Sequence, residues 1–149
     1  ANSVDEKTVT VLTDAAALAE GKEIYTASCM VCHGANGEGT VGPNFTDKYW
    51  IHGGRINDLF KTIKYGVPEK GMISWQSQLR PAAIQKVASY ILSLQGTNPP
   101  NPKAPQGDLF DPAAAGEKST APADSTAVGQ ANSPKKDTTA VNDVKAANK

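Results

Sequence analysis

The sequence predicts an all-α fold, in which three to four short helices are joined by long loops. In three segments apolar side chains recur at spacings of three and four residues, which is the period of a helix with one buried face. Residues that favour helix ends flank these segments. No segment alternates polar and apolar residues well enough to predict a strand, and residues 34–54 are rich in glycine and turn residues.

The first helix is predicted over residues 15–28 and the second over about residues 56–65. Asp14 is a suitable N-cap for the first helix, and Gly21 lies on its apolar face. Gly66 suits the C-terminal cap of the second helix. The apolar stripe of the second helix consists of Ile56, Leu59, Phe60 and Ile63.

The third helix is predicted to begin at Pro81 and to stop at Gly96. Proline is favoured at the first position of a helix, whereas the preceding Arg80 is a poor N-cap. The predicted buried stripe of this helix consists of Ile84, Val87, Ala88, Ile91 and Leu92.

Composition divides the chain into three parts. Residues 1–13 are short and polar, and we expect a flexible lead. Residues 14–96 contain every tryptophan, tyrosine, cysteine, histidine and methionine of the chain and form the predicted domain. Residues 97–149 are rich in Pro, Ala, Ser, Thr and Asn, which predicts a mostly disordered tail, since such a segment buries too little apolar area. Disorder is predicted from about residue 110 onward, and residues 107–110 could pack back onto the domain.

Charge and hydropathy exclude several classes of function. Fifteen basic and fifteen acidic residues give a formal net charge of zero, so no nucleic-acid partner is expected. No stretch approaches the roughly 20 apolar residues that cross a bilayer. The chain begins at Ala1 without a signal segment, which is typical of a mature or excised piece. Any attachment to a membrane is therefore expected through a segment absent from this chain.

The motif that carries chemistry is Cys29-Met30-Val31-Cys32-His33, the C-x-x-C-H pattern of covalent haem attachment. Two thiols at this spacing can each form a thioether to one vinyl group of a single haem c. The adjacent imidazole of His33 is then delivered to the iron. A planar cofactor would also fill the core of a domain that has only three short helices. Since c-type haem is attached outside the cytoplasm, the motif also predicts export.

Two other sites could use this pair of cysteines. A zinc site needs further Cys or His ligands, and only His52 remains in the chain. A redox-active dithiol is expected within a βαβ unit, which the sequence lacks. Haem attachment is therefore the favoured hypothesis.

The second axial ligand of the iron decides between electron transfer and chemistry on a bound molecule. Met72 lies in a loop rich in Gly and Pro, and thioether ligation suits electron transfer. His52 is the competing ligand, with contact to a haem propionate as its other interpretation. Met30 lies inside the attachment motif and cannot reach the opposite face. An iron with no second protein ligand is the remaining alternative.

Four further residues are candidates to contact the haem. The carbonyl of Pro43 can accept a hydrogen bond from the second ring nitrogen of His33, or Pro43 can be a plain turn residue. Trp50, Arg55 and Trp75 each carry a donor that could reach the haem propionates. As alternatives, the two tryptophans are core aromatics and Arg55 is a surface charge.

Residues 15–96 resemble the class I cytochromes c. The resemblance rests on Gly21-Lys22-Glu23-Ile24-Tyr25, Cys29 to His33, Gly42-Pro43-Asn44, Gly66, Met72 and Tyr90-Ile91. It implies that the first and last helices cross, with Gly21 and Tyr25 packed against Tyr90 and Leu94. A narrower similarity is to the periplasmic cytochrome c domain of subunit III of cbb-type cytochrome c oxidase. This similarity rests on His52-Gly53-Gly54, residues 63–67, Lys70-Gly71-Met72-Ile73-Ser74-Trp75 and residues 94–100.

The resemblance implies one-electron transfer in a respiratory chain by a domain that is not itself an enzyme. The electron would come from a donor cytochrome or a quinol-oxidising complex and pass to the haem–copper subunit of the oxidase. The implied location is the periplasm, with a membrane anchor in the full-length protein. A free soluble carrier remains an alternative, as does a haem sensor or enzyme whose iron is open or bound by His52. Lys61, Lys64 and Lys70 could steer an acidic partner or form an ordinary solvated face.

Overall fold

The computed structural model describes residues 3–112, and its architecture is all-α with one very small sheet. The helices are α1 (Ala15–Ser28), α2 (Met30–His33), α3 (Ile56–Tyr65) and α4 (Pro81–Ser93), with a short 3-10 turn at Pro68–Lys70. The strands β1 (Tyr49–Trp50) and β2 (Asp108–Leu109) pair antiparallel. Within residues 3–112 no helix is long and apolar enough to span a bilayer.

The predicted positions of the three main helices are confirmed. Asp14 caps α1, and its carboxylate accepts a hydrogen bond of 2.9 Å from the Ala17 N–H. Gly66 ends α3 with a φ of 72°, a conformation that glycine adopts without strain. Arg80 provides no side-chain cap for α4, as its side-chain type predicted.

Helices α1 and α4 pack closely because one residue at their contact has no side chain. A Cβ on Gly21 would collide with the backbone of Lys86 and lie 2.9 Å from the Cβ of Tyr90. One turn further along α1, the Tyr25 ring meets the Tyr90 ring edge-on, with centroids 5.4 Å apart. The glycine thus brings the two backbones together, and the aromatic pair fills the space beside it.

Helices α3 and α4 supply most of the core. All four stripe residues of α3 are buried, and so are the predicted apolar residues of α4 apart from the half-buried Leu92.

The two short strands were not predicted, because a strand of two residues is too short to show any alternation.

The structure differs from the expected flexible lead. Val9 is buried in the core, the Leu12 N–H donates to Ser89 Oγ at 2.9 Å, and Gln85 Nε2 donates to the Thr10 carbonyl at 2.9 Å. The lead has no helical period in its sequence, but it contains a hydrogen-bonded turn at residues 5–9 and packs against both α3 and α4. Composition alone does not reveal such contacts.

The first part of the tail, which precedes the predicted onset of disorder, packs against the domain. Residues 97–110 return over the loop between α2 and β1, and Phe110 packs against the core. Residues 107–110 contain β2, which pairs with β1. Next to this pair, the Phe110 N–H donates to the Lys48 carbonyl at 2.9 Å. Residues 113–149, where the remaining disorder was predicted, lie outside the described residues.

Candidate functional site: a haem cavity

One cavity of about 540 Å³ brings together the residues that the motif analysis selected. Cys29 immediately precedes α2, which itself provides the Cys32 thiol and the His33 imidazole, and the loop after α3 provides Met72. The remaining walls are mostly apolar and include Val31, Phe45, Leu59, Ile63, Val67 and Ile91. A large apolar cavity with a few polar groups suits a planar organic cofactor.

The two cysteines are free thiols within reach of the cavity, and their surroundings disfavour a redox-active pair. Burial, helped by the nearby Cys32, raises the pKa of Cys29 to about 11. Reactive C-x-x-C pairs instead have a thiol whose pKa is lowered. In residues 3–112 no group of three or more His, Cys, Asp or Glu side chains is placed to hold a metal ion.

His33 is held in one orientation by its second ring nitrogen. Nδ1 lies 3.0 Å from the Pro43 carbonyl oxygen, which can only accept, so Nδ1 carries the proton in this hydrogen bond. Burial lowers the pKa of His33, and the neutral imidazole is therefore favoured. Nε2 is left with its lone pair, which is the form that binds a metal.

The His33 ring is also packed against Phe45 and Gly42. Phe45 stacks on it with ring centroids 4.2 Å apart and an interplanar angle of 18°. A Cβ on Gly42 would lie 2.5 Å from Cε1 of His33, so only glycine fits there. Sequence reasoning missed Phe45, because a single aromatic residue in a loop without periodicity carries no signal.

Two backbone hydrogen bonds tie the loop of residues 38–44, here called the proximal loop, to α2. The Gly39 N–H donates to the His33 carbonyl and the Gly42 N–H to the Cys32 carbonyl, both at 2.8 Å. The buried Tyr25 hydroxyl donates to the Gly34 carbonyl at 2.8 Å and fixes the end of α2 from the other side. Helix α1 and the proximal loop together therefore position the attachment motif.

Met72 is placed on the cavity by a tight loop. Its N–H and carbonyl exchange hydrogen bonds with Val67 at 3.1 and 2.9 Å, which closes the loop around the 3-10 turn. A Cβ on Gly66 would lie 2.5 Å from the carbonyl carbon of Ile73, so this close approach also requires glycine. Met72 is half-buried, and its thioether is available to the cavity.

The competing ligands differ in placement. His52 is exposed but lies among the lining residues, so the structure keeps it beside the cavity. Met30 is exposed on α2 and is not one of the lining residues.

The candidate propionate contacts separate in the same way. Trp50 and Trp75 line the cavity, whereas Arg55 does not and instead precedes α3, where its N–H donates to Asp58 at 3.2 Å. Trp50 Nε1 is buried without a hydrogen-bond partner among the described residues. A buried donor without a partner is costly, which indicates a missing acceptor. A haem propionate has the required chemistry, so these residues fit a haem.

Comparisons with known proteins agree with this cavity. Residues 16–91 match the family model described as cytochrome c oxidase, cbb3-type, subunit III. Subunit FixP of the cbb3-type oxidase of Azorhizobium caulinodans is 37% identical over 91 residues, covering 56% of this chain and 31% of that protein. Subunit CcoP of Cereibacter sphaeroides is 40% identical over 89 residues, covering 56% of this chain and 29% of that protein.

The fold has a counterpart among solved structures. Cytochrome cL of Methylophaga aminisulfidivorans superposes with a TM-score of 0.52 at 27% identity, covering 56% of each chain. The expected class I cytochrome c fold is thereby confirmed. The chain spans about a third of the length of the curated relatives that it matches. With half of its residues matched by the family model, the chain belongs to the family of cbb3-type cytochrome c oxidase subunit III and contains its cytochrome c domain.

Proposed function

We propose that this domain transfers single electrons through one haem c, attached covalently to Cys29 and Cys32 and ligated by His33 and Met72. The observation that carries the proposal is the fixed His33 imidazole, whose Nδ1 is engaged by Pro43 while Met72 and both thiols line the same cavity. When bound, the haem supplies a one-electron iron couple.

The roles of the protein side chains follow from this geometry. The Pro43 carbonyl keeps the proton on Nδ1 of His33 and so leaves Nε2 for the iron. The thioether of Met72 is a soft ligand that raises the reduction potential. The buried Nε1–H of Trp50 would be available to donate to a propionate, and apolar walls such as Ile63 and Ile91 would exclude water.

A relay is favoured over an enzyme because both axial positions would be filled by side chains. Iron with two protein ligands has no position for a substrate, so the domain itself breaks or forms no bonds. The second candidate is a sensor or enzyme with iron that is open or bound by His52, and it is supported by the position of His52 at the cavity.

Partners follow from the family. The relatives are named as subunits of cbb3-type oxidases, which supports delivery of electrons to the haem–copper subunit of such an oxidase. A donor cytochrome or a quinol-oxidising complex would supply them. The domain would then lie in the periplasm, anchored to the membrane through a segment outside the chain described here. A free soluble periplasmic carrier is the alternative.

The test begins with the native chain expressed together with a c-type haem maturation system. Intact-protein mass spectrometry should show one added haem, and a Cys29→Ser/Cys32→Ser variant should show none. The reduced protein should be low-spin and bind carbon monoxide slowly. Rapid carbon monoxide binding would favour the sensor or enzyme, and an unmodified native chain would refute the haem proposal.

A further inference from the structure

The ordered beginning of the tail, residues 97–110, is here called the C-terminal strap. It leaves α4, crosses the outside of the proximal loop and ends in β2 beside Trp50. Gly107 adopts a φ of 89° and packs so closely on Trp50 that a Cβ there would collide with the Trp50 backbone. The strap is therefore held at both ends, and its middle lies against the loop that supports His33.

Lys103 is the residue through which the strap contacts the proximal loop. Its N–H donates to the Glu38 carbonyl at 2.8 Å, and its own carbonyl accepts from Asn44 Nδ2 at 3.0 Å. Its ammonium donates to the carbonyls of Val41 at 3.1 Å and Gly42 at 3.5 Å. One residue therefore joins both ends and the centre of this loop.

The proximal loop contacts His33 directly through Pro43. The peptide that begins with the Gly42 carbonyl leads directly into Pro43, whose carbonyl accepts from Nδ1 of His33. The Val41 carbonyl lies immediately before Gly42, whose N–H is bonded to Cys32. A donor that binds two successive carbonyls limits the rotation of the peptides between them, so the Pro43 carbonyl stays aimed at the imidazole.

Local packing shows that this contact is built for close approach. A Cβ on Gly39 would lie 2.7 Å from the Asn44 nitrogen and 2.9 Å from the Cβ of Lys103. Gly39 also has a φ of 85°, which side chains rarely adopt. The loop thus folds tightly around the position that Lys103 occupies.

We propose that Lys103 is a positioning residue for His33, acting through the proximal loop to keep the Pro43 carbonyl on Nδ1. The inference rests on the proposed function, in which His33 is the fixed iron ligand. It gives the C-terminal strap a role in the haem site although its sequence has no helical period and lies outside the segment that matches the family model.

The experiment compares hydrogen exchange in the reduced, haem-loaded protein by NMR. Lys103→Met removes the ammonium and retains the aliphatic stem, and Lys22→Met removes an exposed ammonium on α1 as the matched control. The reporting protons are the His33 Nδ1–H and the amides of Gly39 and Gly42. The reference amides are those of Cys29 and Gly66, which bond to the Tyr25 and Thr62 carbonyls.

Exchange at the three reporting protons should be about fivefold or more faster in Lys103→Met. In this variant the proximal loop can open without breaking hydrogen bonds to the ammonium, so opening costs less free energy. The reference amides and the Lys22→Met variant should stay within about twofold of the native rates. Lys103→Arg, which keeps donors for both carbonyls, should restore slow exchange. If Lys103→Met does not accumulate, Lys103→Gln takes its place, since its shorter side chain ends in a weaker, neutral donor.

Three outcomes would overturn the inference. These are unchanged exchange at the reporting protons, equal acceleration at the reference amides, and acceleration in Lys103→Arg as large as in Lys103→Met. Failure of the proposed function is seen separately, because the native chain would then lack the attached haem or the low-spin spectrum before any Lys103 variant is made.

Discussion

At the scale of single residues, the imidazole of His33 is held in place by its neighbours. The Pro43 carbonyl holds Nδ1, Phe45 stacks on the ring, and Gly42 lies so close to the ring that a Cβ there would collide with it. Each contact comes from a residue of the loop between α2 and β1, so this loop sets the orientation of the His33 ring. Preorganisation of this kind limits how much the site must rearrange when the metal changes charge.

The first residue-scale prediction concerns the sulphur ligand. Met72→Ala should abolish the thioether-to-iron absorption band near the red end of the spectrum and lower the midpoint potential, since thioether ligation favours the reduced iron. Optical spectroscopy and a redox titration measure both effects. Met30→Ala is the matched control, because Met30 is exposed and outside the cavity. An unchanged band in Met72→Ala would remove Met72 from the ligand set and leave His52 as the candidate.

The second residue-scale prediction concerns the unpartnered donor. Trp50→Phe retains an aromatic ring, although a smaller one, and removes the buried Nε1–H. Loss of a donor to a propionate leaves its negative charge less compensated, so the midpoint potential should fall. A redox titration measures the shift, with Trp75→Phe as the comparison. A larger shift for Trp75→Phe would transfer the propionate contact to Trp75.

At the scale of elements, the close crossing of α1 and α4 is set by Gly21. Gly21→Val should destabilise the domain by about 1–3 kcal/mol, because the new side chain meets the backbone of α4. Ala19→Val, at an exposed position of the same helix, should cost less than about 1 kcal/mol. Denaturant unfolding measures both. Equal losses for the two variants would mean that helix propensity, and not the crossing, explains the effect.

A second element-scale prediction concerns the anchoring of the lead on α3. The Glu6 carboxylate accepts from Lys64 Nζ at 3.1 Å and from the Tyr65 hydroxyl at 2.9 Å. Its own backbone N–H, with Lys64 and Tyr65, holds the pKa of Glu6 below the usual 4.5. A lowered pKa means that the stabilisation is present above 4.5 and is lost as the pH falls through the lowered value.

The protection factor of the Val9 amide, which is its exchange rate in an unstructured peptide divided by its measured rate at the same pH, should therefore be high at neutral pH and fall in acid as the lead detaches. Glu6→Gln should exchange faster at neutral pH and respond less to acid. NMR measurements across the acid range check both statements, with Asp14→Asn as a control for a carboxylate that caps a different element. The same acid response in Glu6→Gln as in the native chain would contradict the anchoring role.

At the scale of the whole molecule, the core surrounds the cavity instead of filling its centre. Ile63 and Ile91 belong to the core and also line the cavity. Three exposed apolar residues line the cavity as well, namely Val31, Val41 and Ile73. Such apolar exposure near one cavity is expected when a cofactor provides the missing apolar surface.

The whole-molecule prediction concerns steering by charge. Lys64 is paired with Glu6, whereas Lys70 is exposed and lines the cavity, so Lys70 is the stronger candidate of the three lysines. Lys70→Gln should slow oxidation of the reduced protein by hexacyanoferrate(III) about two- to fivefold at low ionic strength, because one attractive charge is lost.

Stopped-flow rates should converge for the native protein and Lys70→Gln as salt is added, since salt screens the attraction. Lys22→Gln removes an equal charge from α1 and should have the smaller effect. Slowing of the same size in both variants would show that net charge, and not the position of Lys70, governs the rate.

Much of the architecture was predictable because its causes are local. The stripe from Ile56 to Ile63 and the caps Asp14 and Gly66 depend on neighbours within one or two turns, and all were confirmed. Lys64 illustrates the opposite case. Its pairing with Glu6, more than fifty residues away, gave no signal in the sequence, so its contribution to the basic group was overestimated.

The sequence by itself determined the C-x-x-C-H motif, the helix positions and the family, because these depend on spacing within short segments. Only the tertiary structure decided which distant residues meet the cavity. It brought Trp50 there and left Arg55 outside, and it ordered both the C-terminal strap and the lead, of which composition had predicted only the lead to be flexible. The physical reason is that a polar, aperiodic segment becomes ordered when its backbone finds partners on an existing surface, and those partners are far away along the chain.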